Sequence, residues 1–369
     1  MGAVDEPGLI ETASPSSINA LRKCGLAVYR RRSRQQGRGR GPQNPLARLG
    51  TAAHNVLEWI ANNAHDCVSD PQLEESIRQR WSEATETQER SARDQRLERA
   101  NGTVSRWPRF AQIQEDLVVD GIALAQELAP LPQEKILAEH EVTNTRGDLA
   151  GSIDLLLLGD DNTATVIDHK VGAVTPDDTE SGGRYSTQLL LYASLVRDLG
   201  YEPTAAEIRP LGRKPIPIEV SSQAIDVAIE SGQRDVAAYN DRVLAGHTIQ
   251  LARPAEETCQ WCEFLLDCGA VWIENQPNLG ELEVLEGTLQ AIETAASGAM
   301  AFRIDSKDGS VTVTGLSPAR VPTLQDFGPG DEVRIVGLSR TSPGRYRPRG
   351  GRLDAAKLEA LTRGDEQSD

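Results

Sequence analysis

The sequence GSIDLLLLGDDNTATVIDHK, residues 151–170, predicts the antiparallel hairpin around which the rest of the chain is arranged. Its two hydrophobic runs, residues 153–158 and 165–167, are separated by the turn-forming sequence GDDN. The first run carries Asp154, and Asp168 directly follows the second. The hairpin therefore brings two carboxylates into one sheet.

Lys170 lies two residues after Asp168, so along a strand the two side chains point to the same face. Two carboxylates and a lysine at one edge of a sheet could hold a divalent metal such as Mg²⁺ or Mn²⁺ and place a cation before the reacting group. A simpler interpretation makes Asp154 a strand cap and residues 168–170 a charged strand end. The neighbouring motifs favour the metal site.

Composition restricts the class of protein. The chain has 369 residues, enough for two domains, and a formal net charge of −16, so any nucleic acid would bind a local basic patch. The N-terminal residues lack the apolar core of a signal peptide, and no apolar run is long enough to span a bilayer. We therefore expect a cytoplasmic protein that does not bind membranes.

Five cysteines in such a chain favour metal or cluster ligation over a disulfide framework. Cys259, Cys262 and Cys268 form a C-x2-C-x5-C group, and Cys24 is the obvious fourth thiol. Four thiolates suit either tetrahedral Zn²⁺ or a 4Fe-4S cluster. The spacing leaves both possibilities open.

Two predicted helices carry further candidates. The segment AAHNVLEWIANN, residues 52–63, places His54 on a strongly patterned helix, where a lone histidine is more often an ordinary residue than a ligand. Residues 185–199 predict a helix with Gln188 and Tyr192 one turn apart. These side chains become site candidates only through proximity to the acidic hairpin.

These motifs occur in the order found in RecB-like nucleases of the PD-(D/E)xK superfamily, which the chain resembles over residues 14–275. The motifs are His54 after Gly50-Thr51, G-x-I-D at 151–154, D-x-K at 168–170 and Q-x-x-x-Y at 188–192. One early cysteine with a distal C-x2-C-x5-C resembles the iron–sulfur branch of that family, which includes AddB and the CRISPR-associated exonucleases.

The resemblance implies a restriction-endonuclease-like α/β core, a mixed central sheet flanked by helices, with a role for each motif residue. Mg²⁺ or Mn²⁺ would be held by His54, Asp154, Asp168 and the backbone carbonyl of His169. Catalysis would involve Asp154 and Asp168 together with Lys170, which would stabilise charge at the phosphate or orient the attacking water.

The remaining implied roles lie further along the chain. Gln188 and Tyr192 would support the site and contact DNA. An additional acid on the preceding strand is either Glu139 or Glu141, and the sequence does not choose between them. A 4Fe-4S cluster, with Zn²⁺ as the alternative, would be held by Cys24, Cys259, Cys262 and Cys268.

The predicted organisation is a nuclease domain at 14–275 with a helical insertion at 72–128, a small β-barrel at 281–362, and flexible tails at 1–13 and 363–369. Several short strand-like runs with glycine and proline turns favour an OB-like barrel. Such a barrel could bind single strands or dock a protein. Residues 353–362 are expected to form a terminal helix.

The predicted function is that of a metal-dependent DNA nuclease, an exonuclease acting on single-stranded DNA or DNA ends, in repair, CRISPR adaptation or phage defence. A helicase or another defence protein is a possible partner. The alternative is a non-catalytic DNA-binding or scaffold subunit of a helicase–nuclease or defence complex. The intact set of Asp154, Asp168 and Lys170 argues for the enzyme.

Overall fold

The computed structural model describes residues 8–33, 44–94, 102–272 and 279–358. Among these, residues 8–33, 45–88 and 107–251 form one compact unit. A second unit consists mainly of residues 252–272 and 279–358, with residues 44, 89–94 and 102–106. The C-x2-C-x5-C group thus belongs to the same unit as the C-terminal strands.

Helices precede the central sheet along the chain: α1 (Pro15–Ser33), α2 (Pro45–Asn62), α3 (Ala64–Ser69), α4 (Leu73–Asp94) and α5 (Phe110–Leu128). Helix α1 is interrupted at Cys24, whose backbone is extended. Helix α2 buries one apolar side, including Ala53, Val56 and Ile60, against the rest of its unit. Helices α4 and α5 lie within residues 72–128, and their role as an insertion stays a prediction.

The sheet of the first unit is mixed and has the order β1-β2-β3-β4-β5 in the described residues. Its strands are β1 (Ile136–Thr143), β2 (Ala150–Leu158), β3 (Thr163–Lys170), β4 (Glu202–Pro210) and β5 (Ile216–Ile218). Strands β2 and β3 pair antiparallel, with Leu155 opposite Ile167, which confirms the predicted hairpin. Strand β3 pairs with β4 in parallel, and this places β3 at the centre of the sheet.

Three more helices follow β3 in the first unit: α6 (Pro176–Thr179), α7 (Arg184–Asp198) and α8 (Ser222–Leu244). Helix α7 buries Leu189, Tyr192 and Val196, which recur at helical spacing. It contacts β3 and β4. The helix that carries Gln188 and Tyr192 therefore covers the strand that carries Asp168 and Lys170.

Residues 8–13, which belong to the predicted N-terminal tail, pack against this unit. Ile10 is buried, and its backbone amide donates a hydrogen bond to the Asn240 side chain. Ala13 pairs with Leu149 in an isolated parallel bridge. An apolar side chain and satisfied backbone groups fix this segment. Residues 363–369, the predicted C-terminal tail, lie outside the described residues.

Gly151 allows close packing at the start of β2. A Cβ atom at this position would lie 3.0 Å from Tyr192 Cε1 and 3.1 Å from Pro15 Cδ. These distances are shorter than ordinary van der Waals contact, so a larger residue must displace the tyrosine or the start of α1. The glycine of the G-x-I-D motif is therefore explained by packing against Tyr192.

We expect Gly151→Ala to lower the free energy of unfolding by about 1–2 kcal/mol, because the new methyl group overpacks this contact. Thermal denaturation would show a fall in Tm of a few degrees. Gly172→Ala is the matched control, since a Cβ at Gly172 has nothing within 4 Å. Equal Tm values for the two variants would contradict this explanation.

The second unit contains α9 (Glu256–Cys259), α10 (Gly269–Trp272) and a sheet of six strands in its described part. The strands are β6 (Glu283–Thr294), β7 (Met300–Ser306), β8 (Gly309–Leu316), β9 (Glu332–Ser342), β10 (Arg345–Pro348) and β11 (Asp354–Lys357). Strand β10 pairs with both β8 and β9, which closes five strands into a barrel-like ring. Its core includes Leu289, Phe302, Val313 and Ile335.

The predicted terminal helix at residues 353–362 is wrong at its beginning. Residues 354–357 form β11, which pairs antiparallel with β9. Leu353 and Ala355 are buried against the barrel core, and strand pairing outweighs the helix propensity of the sequence DAAKLEAL. The residues after Leu358 lie outside the described part of the chain.

Among the described residues, none of the helices combines the length and the apolar character that a membrane-spanning segment requires.

Candidate active site

The acidic and basic motif residues of the first unit meet beside strands β1, β2 and β3 of its sheet. Helix α2 contributes His54, and the three strands of the β1–β2–β3 region contribute carboxylates or a lysine. Helix α7 contributes two side chains, Gln188 and Tyr192. The residues that converge are His54, Glu139, Asp154, Asp168, His169, Lys170, Gln188 and Tyr192.

His54, Glu139 and Asp154 form a group that could hold a metal ion. One ligand atom from each lies within 4.8 Å of the others, and among the described residues this is the group with that property. The strand register explains the placement. Ala138 pairs with Leu155, and His140 pairs with Ile153. Glu139, which lies between Ala138 and His140, is therefore opposite Asp154.

Of the two acids that the sequence left open, Glu139 is the one that lies in this group. Glu141 is exposed and pairs with Ser152 instead. The backbone of Glu139 has a positive φ of 45°, in the left-handed region that residues other than glycine rarely adopt. Such a conformation costs about 1–3 kcal/mol and occurs preferentially at functional sites.

One ring nitrogen of His54 faces two carboxylates, and the other ring nitrogen faces a backbone carbonyl group. Its Nδ1 lies 3.4 Å from Glu139 Oε1 and 3.6 Å from Asp154 Oδ2, while Nε2 lies 3.1 Å from the His169 carbonyl oxygen. Burial lowers the pKa of His54, but the hydrogen bond to Glu139 and the charge of Asp154 outweigh it and raise the pKa. The same hydrogen bond lowers the pKa of Glu139.

Asp154 is the buried carboxylate of the metal group. Its side chain is only 13% exposed, and Oδ2 accepts a 2.7 Å hydrogen bond from the backbone amide of His169. Burial, followed by the charge of Asp168, raises the pKa of Asp154 to about 7. Excess buried negative charge of this kind is what a bound divalent cation would relieve.

This pKa predicts a pH-dependent stability for the metal-free protein. An ordinary aspartate has a pKa of 3.8, so between about pH 4 and pH 7 the folded protein binds a proton at Asp154 that the unfolded chain has lost. The contribution of Asp154 to the free energy of unfolding therefore falls as pH rises through that window.

We expect Asp154→Asn to raise the free energy of unfolding of the metal-free protein by about 2–4 kcal/mol at pH 8, and by little at pH 4. Urea denaturation in EDTA at both pH values measures the difference between wild type and variant. A difference that does not grow with pH would show that Asp154 is ionised without cost in the folded state.

Asp168 is buried and is held by two side chains. Lys170 Nζ lies 2.6 Å from Asp168 Oδ2, and Gln188 Nε2 donates a 3.1 Å hydrogen bond to Oδ1. Burial raises the pKa of Asp168, and Lys170 opposes this effect. Burial lowers the pKa of Lys170, but the charges of Asp168 and Asp154 outweigh it, so the lysine is a cation. The role of Asp168 as a metal ligand stays a prediction.

His169 presents its backbone, not its ring, to the metal group. The carbonyl oxygen faces His54 and the amide binds Asp154, as described above. The imidazole is buried, and burial together with the charge of His54 lowers the pKa of His169 to about 3. The ring is therefore neutral, and the carbonyl oxygen is the atom placed to act as a ligand.

Gln188 and Tyr192 support this arrangement from α7. A hydrogen bond links the two side chains, and burial raises the pKa of Tyr192, which keeps the phenol neutral. Asn19 of α1 lies with its Nδ2 3.5 Å from Gln188 Oε1 and donates a 3.0 Å hydrogen bond to the Arg184 carbonyl. This contact turns the amide group of Gln188 so that Nε2 points to Asp168.

Sequence reasoning missed three side chains around Lys170. Asn19 acts through Gln188, and the half-buried ring of Tyr185 lies 4.9 Å from Lys170 Nζ. Arg109 has a positive φ of 65° and donates a 3.3 Å hydrogen bond to the Val171 carbonyl. Tyr185 precedes the Q-x-x-x-Y motif by three residues, one helical turn, which is the signal that could have identified it.

The five cysteines are divided between the two units. All five are free of disulfides, and none belongs to a metal-ligand group in the part of the chain that the structure describes. Cys24 lies in the first unit, whereas Cys259, Cys262 and Cys268 lie in the second. The predicted residues of the nuclease site thus meet within the first unit, whereas the four predicted cluster ligands are divided between the two units.

Divalent metal fits the first site by the chemistry of its donors. An imidazole, two carboxylates and a carbonyl oxygen are ligands that Mn²⁺ accepts, and the oxygen donors suit Mg²⁺. Burial, followed by the charge of Asp168, raises the pKa of Asp154, so ionising this carboxylate costs free energy that a bound cation would offset.

Comparison with known proteins identifies one family. Residues 12–269 match the PD-(D/E)XK nuclease superfamily. The crystal structure of SSO0001 is similar, with a TM-score of 0.22 and 16% sequence identity, over 44% of this chain and 79% of that chain. This likeness is too low to support any argument about fold or function. A search of curated proteins found no match.

Proposed function

Because the chain belongs to the PD-(D/E)XK nuclease superfamily, we propose that it is a metal-dependent nuclease that hydrolyses phosphodiester bonds of DNA at the site described above. The observation that carries this proposal is the convergence of His54, Glu139 and Asp154 within ligand distance of one another. The neighbouring Asp168–Lys170 pair supplies a cation next to that group.

Hydrolysis of a phosphodiester needs charge stabilisation and an activated water molecule. A bound Mg²⁺ or Mn²⁺ would polarise the phosphate and lower the pKa of its water. Of the protein groups, His54, Glu139, Asp154 and the His169 carbonyl would hold the ion, and Asp168 remains a proposed ligand. Lys170 lies next to Asp168 and would stabilise negative charge on the phosphate.

The side chains of α7 hold this cation in place. Gln188 and Lys170 bind different oxygens of Asp168, so the carboxylate cannot rotate without breaking one contact. Tyr192 packs on Gly151 and bonds with Gln188. We assign to Gln188 and Tyr192 a positioning role, with contact to DNA as the further role that the resemblance suggests.

We propose further that the enzyme is a RecB-like exonuclease acting on single-stranded DNA or DNA ends. The order of the motifs from His54 to Tyr192 supports this assignment. DNA repair, CRISPR adaptation and phage defence are the processes in which such an enzyme would act, with a helicase or another defence protein as partner.

The cysteine cluster stays a proposal that rests on spacing alone. One early cysteine and the C-x2-C-x5-C group supply four thiols, which suit a 4Fe-4S cluster or, alternatively, Zn²⁺. Iron and sulfide analysis with a visible absorption spectrum of anaerobically purified protein would distinguish the two. Neither metal in stoichiometric amount would reject both assignments.

The C-terminal barrel is proposed to be OB-like. Two features support the proposal: five strands close into a ring, and the closing strand β10 pairs in parallel with β8 while it pairs antiparallel with β9. Five-stranded barrels of that class commonly bind oligonucleotides.

The test of substrate and polarity uses DNA labelled at either end, single-stranded or duplex, with Mn²⁺. Stepwise release of labelled mononucleotides or short fragments from single strands is the expected result. Internal cleavage of circular single-stranded DNA would reject the exonuclease assignment. The absence of cleavage by a folded, metal-loaded protein would favour the non-catalytic scaffold instead.

A further inference from the structure

Strand β8 of the second unit presents a row of hydroxyl groups to solvent. Ser310 and Thr314 are exposed and Thr312 is half-buried, while the alternating residues Val311 and Val313 point into the core. In the part of the chain that the structure describes, these three hydroxyls make no hydrogen bond with the protein. They are therefore available to an external acceptor.

Arginines lie on both sides of this row. The register places Arg303 of β7 opposite Thr312, and it places Arg345 of β10 opposite the same threonine. Arg347 lies two residues further along β10 and therefore points to the same side as Arg345, with buried Tyr346 between them. Thr312 is thus the centre of a basic, hydroxyl-bearing surface.

We call this surface the β8 face and define it by Arg303, Thr312, Thr314, Arg345 and Arg347. The two β10 arginines are exposed and make no ion pair among the described residues. Arg303 has one distant partner, Glu293 at 3.9 Å, and both of those side chains are more than half exposed. Such a surface pair contributes little, so the face retains most of its positive charge.

The charge of this face differs from that of the chain. The whole protein carries a formal net charge of −16, but residues 340–352 contain five arginines and no acidic residue. Three of these five are engaged elsewhere: Arg340 with Glu283, Arg349 with Glu256 and Glu281, and Arg352 over the Trp261 ring. Asp305, opposite Ser310, limits the basic region to the Thr312 end of the strand.

We propose that the β8 face binds the sugar–phosphate backbone of single-stranded DNA. Arginine guanidinium groups and serine or threonine hydroxyls are the side chains that contact phosphate oxygens. Arg345 and Arg347 are about 7 Å apart along the strand, a spacing suited to consecutive phosphates of an extended strand. None of the five members is aromatic, so binding depends on the backbone and not on the bases.

This inference rests on the proposed function, because DNA is the substrate expected of a nuclease. It adds a second contact with that substrate outside the active-site residues. A polyanion bound mainly through phosphates shows strong dependence on salt, since each contact releases counterions from the strand. DNA binding by the β8 face should therefore contribute both to the affinity for single-stranded DNA and to the dependence of that affinity on salt concentration.

The experiment measures fluorescence anisotropy of a labelled oligothymidylate with the full chain in EDTA, over a range of salt concentrations. We expect Arg345→Ser/Arg347→Ser to weaken binding about tenfold at low salt. The slope of log affinity against log salt should become shallower by about 1.4, since each single-strand contact contributes about 0.7. A labelled duplex should be affected less.

Arg146→Ser/Arg234→Ser is the charge-matched control, because both arginines are exposed residues of the first unit and the change in net charge is the same. If the two double variants bind DNA equally well, the proposal is overturned. Protein docking would then be the remaining role for the barrel. Thr312→Val removes one hydroxyl at constant charge. It should weaken binding about threefold without a change in salt slope.

This result does not depend on cleavage. Loss of affinity in the β10 double variant would support the β8 face even if wild-type protein with Mn²⁺ left DNA intact, which would refute the nuclease proposal alone. Cleavage by wild type with unchanged binding by the double variant would refute the β8 face alone. Equal thermal denaturation midpoints of all variants establish that each remains folded.

Discussion

Replacement of Lys170 by methionine is expected to lower the rate of DNA cleavage by about a thousandfold, or about 4 kcal/mol in activation free energy. The ammonium group lies 2.6 Å from Asp168 and is 17% exposed, so it acts where water screens charge poorly. Methionine retains the length of the side chain and removes the charge. Initial rates with saturating Mn²⁺ and labelled single-stranded DNA measure the effect.

The same variant should be less stable without metal, by about 3 kcal/mol, because Asp168 is left buried without its cation. Lys135→Met is the matched control, because this substitution removes the same charge. Lys135 pairs with the exposed Asp160, in the turn between β2 and β3. Lys170→Arg keeps the charge. A Lys170→Met enzyme that cleaves as fast as the Lys135→Met control would exclude Lys170 from the reaction.

Asp154→Asn is expected to abolish both metal binding and cleavage, with a rate at least a thousandfold below wild type. The asparagine can still accept the hydrogen bond from the His169 amide, so the backbone should remain in place. It loses the charge that, with Glu139 and His54, would attract the ion. Thermal denaturation with and without Mn²⁺, together with cleavage rates, measures the two effects.

Wild-type protein should gain about 2–3 kcal/mol of stability at a metal concentration a hundredfold above Kd, whereas Asp154→Asn should gain none. The metal-free variant should nevertheless be more stable than metal-free wild type at pH 8, because its buried carboxylate is gone. Asp161→Asn, in the exposed turn of the same hairpin, should behave as wild type in every measurement. A normal metal response in Asp154→Asn would place the ion elsewhere.

The sequence predicts the hairpin and its charged residues well, because strand alternation and turn chemistry are local. Asp168 and Lys170 share a face for the same local reason, and they form the ion pair. The choice of Glu139 over Glu141 depends on the register of β1 against β2, which strand alternation cannot supply. The left-handed backbone of Glu139 is likewise fixed only by the surrounding structure.

Long-range features are harder to read from the chain. The contact from Asn19 to Gln188 joins residues 169 positions apart, and no local pattern indicates it. Residues 354–357 have a helix-favouring sequence, yet they add a strand to the edge of β9, where Ala355 is buried. Cysteine spacing indicates four ligands, but spacing does not determine whether they meet.

We propose that this site cleaves DNA with a divalent metal held by His54, Glu139 and Asp154. The most direct measurement is cleavage of labelled single-stranded DNA by EDTA-treated protein to which Mn²⁺ is returned, for wild type, Glu139→Gln and Asp154→Asn in parallel. We expect Mn²⁺ to restore cleavage in wild type and in neither variant. Equal restoration in all three, or none in wild type that is folded and binds Mn²⁺, would contradict it.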